Sequence, residues 1–317
     1  MLSRRDFMLR TGAAASLLHT RFSFAKASQP STRVNFAVPP GACDCHTHIH
    51  DPERIPFLAG RVYTPEPALP EEMAALHKAL GIQRVVIVTP SVYGTDNSAT
   101  IFGMKARGIY ARGVAVIDDK ISESELDDLA RFGFKGIRLN LATGGTNDPN
   151  VGRRRFLAAV ERVKNRKWHI QMYTNLAMIA ALKDVLSASP VPVVFDHFGD
   201  ADPEKGVQQP GFSDLVDLVR SGRAYVKISV VAGPRKDYSP FKPLAETLIA
   251  ANVDRILWGT NWPHPNSTIV PGRPATELTP LWQVDDGLVL NQLPIWAPDE
   301  GLRRKILVDN PAKLYAF

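Results

Sequence analysis

Short runs of β-branched and other apolar residues recur along this chain, and between them apolar positions repeat every three to four residues. The first pattern predicts strands at residues 42–47, 84–88, 110–116, 136–140, 169–173, 192–195, 225–228 and 256–259. The second predicts helices at 71–80, 97–107, 123–132, 153–165, 177–188, 212–221 and 243–251. Eight such alternations predict an α/β fold closed into a single TIM-type (β/α)8 barrel. No G-x-G-x-x-G follows any of the strands, which argues against a dinucleotide-binding sheet.

A barrel carries its chemistry at the C-terminal ends of its strands, and polar residues gather at those addresses. His46 and His48 end the first strand, Arg138 and Asn140 the fourth, and Gln171 and Tyr173 the fifth. Asp196 and His197 end the sixth, Lys227 and Ser229 the seventh, and Asn261 with His264 the eighth. The proline-rich stretches 51–70 and 263–280 predict stiff walls over the mouth, where substrate choice resides.

The N-terminus has a separate meaning. Ser3-Arg4-Arg5-Asp6-Phe7-Met8, a short apolar run and Ala25-Lys26-Ala27 have the layout of a twin-arginine export signal over residues 1–27. The expected mature domain, residues 28–317, then works in a bacterial periplasm with no membrane anchor once the signal is removed. The signal holds five basic residues and one acid, so its removal lowers the formal charge from +6 to +2. That balance gives no basic surface for nucleic acid. The two cysteines, Cys43 and Cys45, share one face of an extended strand at a spacing poorly suited to bridging.

Strand alternation predicts that Asp44, His46 and His48 point one way, into the barrel mouth, and Cys43, Cys45 and Thr47 the other. H-x-H at a strand end can place two imidazoles on a metal ion or a substrate carbonyl. His50 lies beyond, in the loop. Val194-Phe195-Asp196-His197-Phe198-Gly199 and Leu257-Trp258-Gly259-Thr260-Asn261-Trp262-Pro263-His264 repeat one design, an apolar strand ending in polar residues.

In this order along eight β/α units, these motifs resemble the amidohydrolase-related branch of the amidohydrolase superfamily. Within it the chain is similar to the 2-pyrone-4,6-dicarboxylate lactonase group, from residue 39 to the closing segment 307–315. The resemblance implies hydrolysis of a cyclic ester with no cofactor, the alternative being a single divalent metal such as zinc. His46, His48 and His197 match the histidines the group arranges around the scissile carbonyl. Asn261 departs from the pattern, because the superfamily usually has Asp there. An amide has no basic lone pair near neutral pH and is a poor metal ligand, so it can only orient water or substrate.

The expected mechanism has His46 and His48 polarising the ester carbonyl, and His197 or His264 carrying the proton. Asn261 positions the nucleophile. Arg138, inside an apolar strand, is the expected holder of a substrate carboxylate, which matches an arginine the family uses for anionic substrates. Arg235, with Lys236 beside it, is a candidate for a second acidic group, and Gln171, Tyr173 and Tyr93 are further lining candidates. The loop 142–146 lacks the arginine expected for a dicarboxylate. The expected partner is therefore a small anionic lactone. Three rivals stand: an intramolecular sugar-acid lactone isomerase, a metal-dependent hydrolase or decarboxylase, and a non-catalytic periplasmic binding protein. The oligomeric state is open.

Overall fold

In the computed structural model, residues 27–143, 145–231 and 233–317 are described. The expected export signal, apart from Ala27, lies outside them. Eight parallel strands form the frame: β1 Cys43–Thr47, β2 Arg84–Val88, β3 Ala111–Ala115, β4 Phe134–Asn140, β5 His169–Tyr173, β6 Val193–Phe195, β7 Ala224–Lys227 and β8 Ile256–Leu257. Each pairs with the next in chain order. The seam between β8 and β1 is closed by Cys45 N–H to the Trp258 carbonyl (2.9 Å), Asn261 N–H to His46 (2.9 Å) and His48 N–H to Trp262 (2.8 Å).

Two apolar layers follow from the two faces of each strand. Val85, Ile87, Ile137, Ile170, Val193, Phe195, Val226 and Ile256 face outward into the cluster shared with the helices, among them Met73, Leu76 and Leu126. Val86, Val88, Val114, Val194, Tyr225 and Leu257 face inward. The floor of the barrel is plugged from below by Tyr315 at the end of helix Asn310–Tyr315, edge-on to His169 at 5.2 Å. Behind it Phe317 lies under the guanidinium groups of Arg84 and Arg112.

Local sequence explains the helix limits. Helix Glu123–Phe132 has a reciprocal capping box between Ser122 and Glu125 and stops at Gly133 in the left-handed region. Helix Pro149–Val163 starts earlier than its apolar rhythm predicts, because Asp148 caps the Asn150 N–H and Pro149 presets the first turn. The helix expected over 177–188 breaks at Leu182 into Leu176–Ala181 and Lys183–Ser187. The two proline-rich walls are tied to each other: Thr64–Pro65 pairs in parallel with Leu278–Thr279, and Thr64 Oγ1 donates to the Ala275 carbonyl at 2.6 Å.

One expectation is overturned in β1. Asp44 pairs with Val85 and Thr47 with Ile87, so two residues, Cys45 and His46, stand opposite Val86 alone. This β-bulge breaks the alternation. Cys43 and Cys45 therefore face the barrel interior beside Val86 and Val88, and Asp44 turns outward. There it accepts from the N–H of His46 (3.0 Å), the N–H of Thr260 (3.0 Å), Thr260 Oγ1 (2.6 Å) and His77 Nε2 (3.2 Å) of helix Pro70–Leu80. Gly259 makes room for this seam, since a Cβ there would lie 2.8 Å from the His46 nitrogen. His46 enters the barrel because of the bulge, not because of strand rhythm.

Candidate active site

The C-terminal ends of the strands enclose a polar cluster with almost no solvent exposure. Asp196, past the end of β6, is its anionic centre. Its Oδ1 stands 3.2 Å from Lys227 Nζ and 3.2 Å from His46 Nδ1. Its Oδ2 accepts from Gln171 Nε2 (3.0 Å) and Arg138 Nε (3.3 Å). Lys227 Nζ also donates to Gln171 Oε1 at 2.7 Å and reaches His46 Nδ1 at 3.2 Å. Desolvation raises the Asp196 pKa, but Lys227, His46 and Arg138 outweigh it and hold the carboxylate well below its usual range.

The histidines around this centre are neutral. Burial pushes His46 and His48 well below the ordinary imidazole value, with Lys227 adding to the effect on His46 and Arg138 to that on His48. Burial takes His197 down to about 3, against the pull of Asp196. His46 Nε2 and His48 Nε2 meet at 3.2 Å. His48 Nδ1 lies 2.7 Å from the Val88 carbonyl, and His197 Nδ1 lies 2.7 Å from Ser229 Oγ.

Two neighbouring cavities that share four lining residues open above the cluster. The inner one, about 40 Å³, is lined by His48, Arg138, Tyr173, His197 and Asn261, with Tyr63 from the first wall. The outer one, about 250 Å³, shares Ser91, Arg138, Asn140 and Thr143 and extends to Arg61 and Arg155. Tyr173 stacks edge-on to His197 at 5.4 Å, and the Arg138 guanidinium sits 5.3 Å over its ring. Burial raises the Tyr173 hydroxyl to about 12, which keeps it protonated.

The expected site residues therefore divide. Arg138, His48, His197, Asn261 and Tyr173 share the inner cavity. His46 and Gln171, fully buried, act from behind its wall. His264, expected as a proton carrier, points away: its Nε2 faces Asp286 Oδ2 at 3.0 Å, and it does not line the cavity. Its backbone adopts positive φ, as does that of Asn261, so the loop turns sharply between them and sends the two side chains to different compartments. Arg235, expected to hold a second acid, is paired instead with Glu204 at 3.0 Å and covers Phe241. Tyr93 lines neither cavity, and its hydroxyl oxygen accepts the Asp51 N–H at 2.8 Å. Asp196 and Lys227 have larger roles than their positions alone suggested. A lysine in the apolar run Ala224–Lys227 was the available signal, since a buried ammonium demands an anion nearby.

Asp196 is poorly placed to serve as a ligand to a divalent metal. His46, Asp196 and His197 bring ligand atoms within 4.8 Å of one another, and the His46 and His48 Nε2 atoms also converge. Yet the carboxylate that would complete either set is bound by two cations and an amide. Lys227 Nζ stands 3.2 Å from atoms of two of the three ligands, where a metal would meet its repulsion.

A sequence profile described as amidohydrolase matches residues 43–317. The chain belongs to the amidohydrolase family. This amidohydrolase is 33% identical to a 2-pyrone-4,6-dicarboxylate hydrolase of Comamonas testosteroni, over 92% of its own chain and 94% of the relative. It is 33% identical to a 4-sulfomuconolactone hydrolase of Hydrogenophaga intermedia, over 89% and 91% of the two chains. A D-galactarolactone isomerase of Agrobacterium fabrum is 29% identical over 90% and 94%. The crystal structure of an apo Agrobacterium tumefaciens protein superposes with a TM-score of 0.75 at 27% identity, covering 90% of this amidohydrolase and 98% of that chain.

Proposed function

We propose that this amidohydrolase opens a small lactone bearing acidic groups by metal-independent hydrolysis. The observation that carries this reading is the inner cavity, where neutral His48 and His197 stand beside Arg138. Arg138 spends its Nε on Asp196, which Lys227 already neutralises, so the guanidinium retains charge for a substrate carboxylate. Relatives named for lactone hydrolysis support the same reaction.

The inner cavity is too small for a substituted ring, which must extend into the outer one. There Arg61 contacts Thr64 Oγ1, the Leu58 carbonyl and the Phe57 ring, all neutral, and among the described residues neither it nor Arg155 makes an ion pair. Two further guanidinium groups thus favour a substrate with a second anionic substituent.

In the reaction, a water oxygen oriented by Asn261 attacks the ester carbonyl carbon and its proton passes to a histidine nitrogen. The carbonyl electron pair moves onto oxygen, stabilised by an imidazole N–H. On collapse the bond to the ring oxygen breaks, and that oxygen takes the proton from the histidine. One water is consumed, and the new carboxylic acid ionises at neutral pH.

A second reading is favoured by Asn261. An amide orients a substrate hydroxyl as well as water, and attack by that hydroxyl would isomerise the lactone, the reaction named for the Agrobacterium fabrum relative. Stopped pH recording with 2-pyrone-4,6-dicarboxylate and 4-sulfomuconolactone, and with D-galactarolactone as a lactone that carries free hydroxyls, separates the two. Hydrolysis releases one proton per turnover and is unchanged after exhaustive chelation. A ring-retaining product without proton release establishes the isomerase, and loss of turnover on chelation overturns metal independence.

A further inference from the structure

The hydrogen atoms of the buried chain can be placed by elimination. The Val88 carbonyl only accepts, so His48 Nδ1 carries hydrogen and donates to it. Neutral His48 then has a bare Nε2. That atom faces His46 Nε2 at 3.2 Å, and two bare nitrogens at that distance would oppose lone pair to lone pair, so His46 Nε2 must be the donor. Neutral His46 therefore has a bare Nδ1. It accepts from the Lys227 ammonium at 3.2 Å, which also donates to Gln171 Oε1 and stands in an ion pair 3.2 Å from Asp196 Oδ1.

The alternative arrangements fail. Hydrogen on His46 Nδ1 would satisfy Asp196 Oδ1 at 3.2 Å, but it would oppose the Lys227 hydrogen at that nitrogen and leave the two Nε2 atoms bare; with Nδ1 bare, the Lys227 ammonium, 3.2 Å from both Nδ1 and Oδ1, offsets the repulsion between them. Hydrogen on both nitrogens of His46 would add a cation beside Lys227 in a fully buried site, and burial and Lys227 both push the His46 pKa down.

We infer that Lys227 is a positioning residue: His48, held by Val88, calls for hydrogen on His46 Nε2 and Asp196 Oδ1 calls for it on Nδ1, and the Lys227 ammonium, 3.2 Å from both Nδ1 and Oδ1, decides for the Nε2–H tautomer, making His46 the donor and His48 the acceptor where their rings meet. The catalytic consequence rests on the lactone reading. A substrate carbonyl reaching that edge takes the His46 Nε2–H. His48 Nε2, released from that bond, is then free to accept the proton of the attacking water and to return it to the ring oxygen. The two histidines have different duties, in place of the shared polarising role that the H-x-H motif suggests, and a residue remote from the cavity assigns them.

The test is ring-nitrogen NMR on protein labelled with ¹⁵N-histidine, combined with kinetics. In the wild type, His46 should show a protonated Nε2 and bare Nδ1, and His48 the reverse. In Lys227→Met, His46 should move its hydrogen to Nδ1 and donate to Asp196. kcat for 2-pyrone-4,6-dicarboxylate should fall about 100-fold, the scale of losing one oxyanion donor, with KM within about threefold because Arg138 is untouched. A bare His46 Nε2 in the wild type, or unchanged tautomers in Lys227→Met, overturns the inference. Should the variant not fold, the wild-type spectrum alone decides. A wild type that opens none of the lactones removes the hydrolase reading, and the tautomers still decide this one.

Discussion

Among the described residues, three buried histidine–aspartate pairs lie near the mouth of this barrel, and they have different fates. His46–Asp196 (3.2 Å) is surrounded by Lys227, Arg138 and Gln171 and stands behind the inner cavity. His77–Asp44 (3.2 Å) and His264–Asp286 (3.0 Å) lie in the layer between barrel and helices. Asp44 is saturated by four donors, two of them backbone N–H groups of the catalytic strand ends. Asp286 has one, and among the described residues its Oδ1 has none. The chemistry of the pair is the same in each case. What differs is the company of the carboxylate: cations make Asp196 a charged centre, backbone amides make Asp44 a structural pin, and burial, with the Asp44 charge adding to it, raises the Asp286 pKa against the pull of His264.

The largest expected effect is on stability in acid. Burial lowers His50, His169 and His197 to about 3, and His46 and His48 well below their usual value. A histidine with a depressed folded pKa contributes stability that is whole above about 6.5 and is lost as pH falls towards the folded value. Urea unfolding followed from pH 7 to pH 5 should show stability falling steeply, with roughly five protons taken up on unfolding at pH 5. Flat stability over that range would mean these imidazoles are already charged in the fold. Next in size, Asp196→Ala leaves Lys227 and Arg138 as buried cations without their anion. It should cost about 3–5 kcal/mol by denaturant titration, and a loss below about 1 kcal/mol would show that solvent reaches the cluster.

The barrel was legible in the sequence because the rule that builds it is local. Arg84–Val88 and His169–Tyr173 alternate inner and outer residues without interruption, and their limits follow from that rhythm. Arg138, His48, His197, Asn261 and Tyr173 were legible for the same reason, since strand ends converge on one mouth. The bulge at Cys45–His46 was not, because it is set by Asp44, His77 and Thr260, residues up to 216 positions apart. His264 and Arg235 were misplaced because a loop residue's direction depends on backbone turns and partners such as Asp286 and Glu204, which spacing does not encode.

The comparison between the two outer carboxylates can be broken by one substitution in each. Asp44→Asn replaces an acceptor oxygen by an NH₂ that faces donors, so at least one of His46 N–H, Thr260 N–H and His77 Nε2 loses its partner. A loss of about 1–3 kcal/mol is expected, the cost of stranding a buried polar group, and lactone turnover should fall about tenfold as the bulge carrying His46 relaxes. Asp286→Asn should do far less. Burial already favours the uncharged form of Asp286, and an amide keeps an oxygen for His264 Nε2–H, so stability should change by less than about 1 kcal/mol and turnover should be preserved. If Asp286→Asn lowers turnover as much as Asp44→Asn does, the His264 loop controls Asn261 directly, and the layer behind the barrel contains two catalytic supports where the contacts describe one.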